Sequence, residues 1–86
     1  MTAEILTFPT VHLNGTSRDE LLRQLLDADL ALSTALAKLR QASPHARDYY
    51  VSQDPDAFKK ARSQHDARCK AIFDVRNEIQ QIAESL

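Results

Sequence analysis

The sequence contains very few of the residues that cross-link, bend or anchor a chain. Cysteine occurs once, as Cys69, so no disulfide can form within one chain, and a lone thiol suits a reducing cytoplasm. One glycine and three prolines fit a chain dominated by helix. No apolar run approaches the ~20 residues of a membrane span, and the N-terminus lacks the regions of a signal peptide. We therefore expect a cytoplasmic protein without a membrane partner.

An excess of charge of either sign is also missing. Eleven Lys and Arg residues stand against twelve Asp and Glu residues, for a formal net charge of −1. This balance argues against attraction of the whole surface to duplex nucleic acid. A chain of 86 residues forms one small domain, residues 1–86. Such chains bury only about 60–65% of their unfolded surface. Without disulfides they often rely on a metal or on oligomerisation.

A first long helix is predicted over residues 18–42. Ser17 with Glu20 three residues later forms a capping box, which marks the start of a helix. Pro44 ends it, because proline cannot continue the hydrogen-bond ladder and disfavours helix in the preceding residue. Apolar residues spaced alternately four and three apart draw one stripe along this helix: Leu21, Leu25, Ala28, Leu32, Ala35, Leu39 and Ala42.

The same helix carries a second apolar row, formed by Leu22, Leu26 and Leu30. It lies roughly 100–180° around the helix from the first stripe, so one partner helix cannot cover both. Two explanations stand side by side and are compatible with each other. Residues 5–13 fold back over the row, or the row is a subunit interface of a homo-oligomer.

A second long helix is predicted over residues 55–85. Asp54-Pro55-Asp56 supplies an N-cap aspartate, a proline at the first helical position and a second acid at the positive helix end. No helix breaker follows up to the C-terminus. The core-facing stripe of this helix has a heptad rhythm, and it includes a histidine and an arginine: Phe58, Ala61, His65, Arg68, Ile72, Val75, Ile79, Ile82 and Leu86.

Together these signals predict an all-α fold, an antiparallel helical hairpin that oligomerises. A short connection makes two helices antiparallel neighbours. Aligning them about the loop places Leu39 beside Phe58 and Asp29 near Arg68, and we expect an ion pair between the latter two. Residues 1–16 form an extended N-terminal arm, because threonines and a proline interrupt their apolar residues.

The connection between the helices, residues 43–54, is the most informative segment. Helix–helix connections usually run about 2–8 residues, and longer ones are often functional. The candidate binding residues are His45, Arg47, Asp48, Tyr49, Tyr50, Lys59 and Lys60. Basic side chains beside aromatic rings bind nucleotides or single-stranded nucleic acid through charge and stacking. Alternatively, the tyrosines tuck under the loop and the charges are a solvated rim. Adjacent loop tyrosines are seldom both buried, so we expect one to be available to a partner.

The charges are unevenly placed along the predicted hairpin, which makes its tip positive although the protein is not. Around the tip lie Lys38, Arg40, Arg47, Lys59, Lys60 and Arg62, against Asp48, Asp54 and Asp56. Around the opposite end lie Glu4, Asp19, Glu20, Asp27, Asp29, Glu78 and Glu84, against Arg18, Arg23 and Arg76.

No catalytic or metal motif stands out. His65 and Cys69 have the i,i+4 spacing of half a metal site, but no second pair exists at a usable spacing. A hydrogen-bonded core histidine and a buried thiol explain them better. Asp48 beside Arg47 lacks a histidine or a second acid in register. The sequence therefore predicts a non-enzymatic protein with no catalytic residue, metal or cofactor.

The HLNGTS segment at residues 12–17, the RDYY loop at residues 47–50 and a closing helix of the pattern H..R...I..V..EI..IA from His65 resemble a group of small phage and prophage proteins. The resemblance covers nearly the whole chain. Its members often have glycine where this chain has Ala46. The resemblance implies a phage-borne accessory protein of unassigned molecular activity, acting in the cytoplasm of a bacterial host, and it assigns no site.

Three functions are consistent with these observations. The first is a small accessory protein that acts non-enzymatically on a host component, for example in host-defence interference, through the loop and an apolar helix face. The second is a small-ligand or nucleotide-binding oligomer that sequesters its ligand at a basic and aromatic site at the hairpin tip. The third is a structural helical assembly module.

Overall fold

The computed structural model describes residues 5–86 and contains two α-helices. Helix α1 spans Arg18–Gln41, helix α2 spans Ala57–Glu84, and a single 3₁₀ turn, Ala46–Asp48, lies between them. No strand occurs in residues 5–86, so the predicted all-α hairpin is confirmed. Neither helix is apolar enough over a sufficient length to cross a membrane.

The N-terminal arm has no regular secondary structure over residues 5–16. A turn is present at Asn14-Gly15, with the Gly15 amide donating to the His12 carbonyl at 3.1 Å. The first four residues, including Glu4 of the acidic group, lie outside the described residues.

Helix α1 begins where the capping signal predicts. The Ser17 hydroxyl accepts a hydrogen bond from the Glu20 amide at 3.2 Å. The Glu20 carboxylate accepts hydrogen bonds from the side chains of Arg23 and Gln24, which lie further along the same helix. At the C-terminal end, the Ser43 hydroxyl donates to the Arg40 carbonyl at 2.7 Å. The bonds made by Ser17 and Ser43 satisfy backbone groups that a helix end would otherwise leave unpaired.

Helix α2 begins two residues later than predicted, because Asp54-Pro55-Asp56 forms a turn instead of the first helical turn. The Asp54 carboxylate accepts from the Asp56 amide at 2.9 Å and from Lys60 Nζ at 2.7 Å. The Asp54 carbonyl accepts from the Ala57 amide at 3.1 Å. Asp56 is therefore the N-cap residue, and it makes no side-chain capping bond.

The register between the helices differs from the predicted one. Asp29 pairs with Arg76, with Arg76 Nε 3.0 Å from Asp29 Oδ1, and accepts further bonds from Gln80. The expected pair with Arg68 is wrong by about two helical turns. The reason lies at the tip, where the first turns of α2 extend past the end of α1. At the other end, which we call the open end, Arg18 Nε donates to the Leu86 carbonyl at 2.8 Å.

The interface between the helices is thin. Leu36, 2% exposed, is the only buried hydrophobic residue among residues 5–86. The predicted stripe missed it and included Ala28 and Ala35, which are exposed. The face of α1 that meets α2 is rotated toward the second apolar row, and its half-buried residues are Leu21, Leu22, Leu25, Asp29, Leu32, Ser33 and Leu39.

The molecule is elongated. Its principal extents are 62 × 28 × 16 Å and its radius of gyration is 18.4 Å, against about 12 Å for a compact domain of this length. The chain exposes 6907 Å², whereas a compact monomer of its mass exposes roughly 5100 Å². A two-helix hairpin has no third layer to cover the outer faces of its helices, and this leaves apolar side chains in solvent.

Candidate functional site

The start of the tip loop is fastened to α2 by a buried histidine. His65 is 6% exposed, and its Nε2 lies 3.2 Å from the Ser43 hydroxyl and 3.6 Å from Cys69 Sγ. The expected hydrogen-bonded core histidine is therefore present, and the thiol beside it is half-buried. Because Ser43 is the second residue after α1, this contact fixes the point where the chain leaves that helix.

The end of the loop is fastened by an ion pair. Lys60 holds the Asp54 carboxylate at 2.7 Å. This hydrogen bond, together with the one from the Asp56 amide, lowers the pKa of Asp54 below its ordinary value of 3.8. Lys60, a candidate binding residue in α2, therefore forms an ion pair with the loop, whereas Lys59 makes no such pair and is exposed.

Successive turns and one aromatic contact order the middle of the loop. The Asp48 amide donates to the His45 carbonyl, and the Tyr49 amide to the Ala46 carbonyl, each at 3.0 Å. The half-buried Tyr49 ring packs on Phe58, with ring centroids 6.2 Å apart. No non-glycine residue among residues 5–86 has a positive φ, so Ala46 adopts its backbone conformation without strain.

Beyond these anchors, the loop presents a group of exposed side chains that we call the tip surface: His45, Arg47, Asp48, Tyr50 and Val51. Tyr50 is 79% exposed and Val51 is 77% exposed. The two tyrosines thus behave differently, one bracing the loop and the other facing solvent. Sequence reasoning missed Val51, although an apolar residue directly after two tyrosines in a polar loop was a signal for it.

Most of the basic residues near the tip form no ion pair with the described residues. Six of them make no ion pair with another of residues 5–86: Lys38, Arg40, Arg47, Lys59, Arg62 and Arg68. Residues 38–70 carry eight Lys and Arg against four Asp, a balance of +4. The remaining described residues carry three Lys and Arg against seven Asp and Glu, a balance of −4. The molecule is therefore positive toward the tip and negative toward the open end.

A shallow cleft of about 420 Å³ runs beside His65, lined by Arg40, Ser43, Asp66, Cys69, Lys70 and Phe73. Small-ligand sites have volumes of about 300–1,000 Å³. Every buried side-chain nitrogen or oxygen among residues 5–86 already has a hydrogen-bond partner. No group of three or more His, Cys, Asp or Glu side chains in that range is placed to hold a metal ion. The cleft is thus lined by charged side chains, and no buried polar group in it lacks a hydrogen-bond partner.

The second apolar row of α1 is the other candidate surface. Leu22 is half-buried, whereas Leu26 is 52% and Leu30 is 68% exposed. The expectation that residues 5–13 fold back over this row is wrong, because both leucines remain in solvent. In the arm, Leu13 is itself 99% exposed. Among residues 5–86, nothing therefore covers the part of the row formed by Leu26 and Leu30.

Comparisons with protein-family models, with curated proteins and with solved structures found no match for this chain.

Proposed function

We propose that this protein is a non-enzymatic binding protein that docks on a partner protein through its tip surface. One observation carries the proposal. Tyr50 and Val51 are neighbouring, exposed apolar side chains on a loop whose start, middle and end are all anchored to α2. An exposed aromatic side chain on an anchored loop is a feature of a docking surface, because its position is set before the partner arrives.

The energetics favour such a surface. Tyr and Arg are enriched among the few residues that dominate binding energy, and the tip surface has both, in Tyr50 and Arg47. A loop that is already ordered loses less conformational entropy on binding. The surplus of positive charge around the tip selects a partner with an acidic rim around an apolar pocket, and it speeds their association at low salt.

The resemblance to small phage and prophage proteins supports a biological setting for this activity. The partner is then a component of a bacterial host, met in the host cytoplasm. Occupying the surface of a host-defence protein or of a host enzyme requires no chemistry, and the tip surface has no arrangement of groups that suggests any.

The test compares three forms of the chain as bait against host lysate. Wild type is compared with Tyr50→Ser/Val51→Ser, and with Leu13→Ser as a matched control, because Leu13 is as exposed but lies in the arm. A specific partner is expected with wild type and control, and we expect the tip variant to lose it. Truncating a dominant aromatic contact costs ~2 kcal/mol or more, which is about 30-fold in affinity. Equal recovery by all three forms would contradict the proposal.

A second candidate function is sequestration of a nucleotide or another small anion at the basic tip. It is favoured by Arg40, which lines the cleft beside His65 and makes no ion pair within residues 5–86. A ligand at 100 times its dissociation constant stabilises the fold by ~2.7 kcal/mol. Melting curves with a panel of nucleotides should then show a rise that Arg40→Gln removes and Tyr50→Ser/Val51→Ser leaves in place. No rise with any nucleotide excludes this function.

The third candidate, a structural assembly module, needs no tip surface. It predicts that Tyr50→Ser/Val51→Ser leaves the biological activity unchanged, so the variant that tests docking also tests this candidate.

A further inference from the structure

We infer that the exposed row of α1 is the interface of an antiparallel two-fold dimer, in which the tip half of one copy lies beside the open end of the other. This inference goes beyond the docking function, because it concerns a different surface and leaves both tips uncovered. It starts from Leu26 and Leu30, which are 52% and 68% exposed at the middle of α1.

The surface area of the isolated chain supports a second copy as the occupant. The chain exposes 6907 Å², roughly 1800 Å² more than a compact monomer of its mass. A standard stable interface buries about 800 Å² on each partner. The excess is large enough to supply one such interface and still leave the tip and the arm in solvent.

The row is self-complementary in size. A two-fold axis through the midpoint of α1, between Asp29 and Leu30, pairs each residue with the one equally far from the other end of the helix. It brings Leu22 opposite Ala37 of the second copy, and Leu26 opposite Ser33. Leu22 and Leu26 of one copy thus face small side chains of the other, whereas Leu30 lies next to the axis, opposite Asp29 of the second copy. An isologous interface requires such matching, because both copies use the same patch.

The charges on the same row also match in this orientation. Asp19 lies two helical turns before Leu26, and Arg40 lies two turns after Ser33, so both continue the row at its ends. The same axis pairs Asp19 with Arg40 of the second copy. Asp19 is 97% exposed, with only a 3.7 Å contact to Arg18, and Arg40 makes no ion pair within residues 5–86. A parallel dimer would instead place like charges together.

The first experiment tests the interface by sedimentation of the full chain. Wild type is expected to sediment as a dimer, and Leu26→Gln/Leu30→Gln as a monomer with unchanged helix content by circular dichroism. Because both leucines are exposed in the single chain, their replacement leaves the hairpin fold intact. Leu13→Gln, which changes an equally apolar residue in the arm, remains dimeric. A wild-type monomer at ~100 μM, or a dimer that survives Leu26→Gln/Leu30→Gln, overturns the inference.

The second experiment tests the orientation by exchanging charges. Asp19→Arg alone and Arg40→Asp alone each place like charges face to face twice in the antiparallel dimer. Each is expected to weaken dimerisation about tenfold at low salt. The double variant Asp19→Arg/Arg40→Asp restores both pairs and is expected to return to within about threefold of wild type. Single variants that dimerise like wild type, or a double variant no stronger than the singles, overturn the antiparallel orientation.

Discussion

At the scale of single residues, Asp29 lies where a leucine would be expected, in the seam between the helices. Its side chain is 18% exposed, and Arg76 and Gln80 donate hydrogen bonds to it. The bond from Arg76 is the main reason that the pKa of Asp29 lies below its ordinary value of 3.8. An ion pair that bridges two helices at one level also specifies their register, which leucine contacts alone leave open.

The lowered pKa makes a prediction for stability against pH. Since the carboxyl is more acidic folded than unfolded, its stabilising effect is complete above the unfolded pKa and is lost as the pH falls through the lower folded pKa. The melting temperature of wild type should therefore exceed that of Asp29→Asn by a constant amount from pH 5 to 7. The difference should shrink below about pH 4.

Thermal melts followed by circular dichroism between pH 2 and 7 measure this difference. Asp66→Asn is the control, because Asp66 makes no ion pair within residues 5–86 and should give a small, flat difference. A gap between wild type and Asp29→Asn that stays constant down to pH 2 would show that the pair does not stabilise the seam.

At the scale of elements, the helices and their ends were predictable and their packing was not. Ser17 and Pro44 bounded α1 to within two residues, because caps and proline act through local hydrogen bonds. The buried face of α1 was assigned only in part, because leucines occupy about half of the circumference of that helix. Leu36 and Ala35 were therefore equally plausible core positions by spacing. The register was missed because it depends on how far α2 extends past the end of α1, and the pairs Ser43–His65 and Asp29–Arg76 that show this extension are far apart in sequence.

The order of the loop should depend on Tyr49. Its contact with Phe58 is expected to contribute about 0.5–1.5 kcal/mol, so Tyr49→Ala should open the loop about 2- to 10-fold more often. The measurement is limited trypsin digestion at Arg47, which is exposed in the loop. Tyr49→Phe keeps the ring and should be cut like wild type. Tyr50→Ala should also resemble wild type, since Tyr50 is in solvent; faster cutting of Tyr50→Ala than of Tyr49→Ala would reverse the assigned roles.

At the scale of the whole molecule, the chain is a bipolar rod about 62 Å long with an uncovered apolar row on its side. The separation of charge was predictable, because a hairpin necessarily brings residues near the loop to one end. The excess of surface was not, since it follows from the absence of a third layer and from an arm that leaves Leu26 and Leu30 in solvent. The proposed dimerisation through the row and the proposed docking through the tip surface use different residues, so the proposed dimer has two free tips and would bind two partners or one symmetric partner.

The distance between the two tips of the proposed dimer tests whether ordered and exposed tips lie at opposite ends of a symmetric assembly. Spin labels on Gln53→Cys, in a Cys69→Ser background, report it by pulsed electron paramagnetic resonance. Gln53 is exposed in the loop, and Cys69 is the only native cysteine. The antiparallel dimer should give one narrow distribution centred on the order of 60 Å, comparable to the 62 Å length of the molecule. A distance below about 30 Å would place the tips together, and the absence of any defined distance would mean that the chain stays single; either result would rule out the antiparallel dimer.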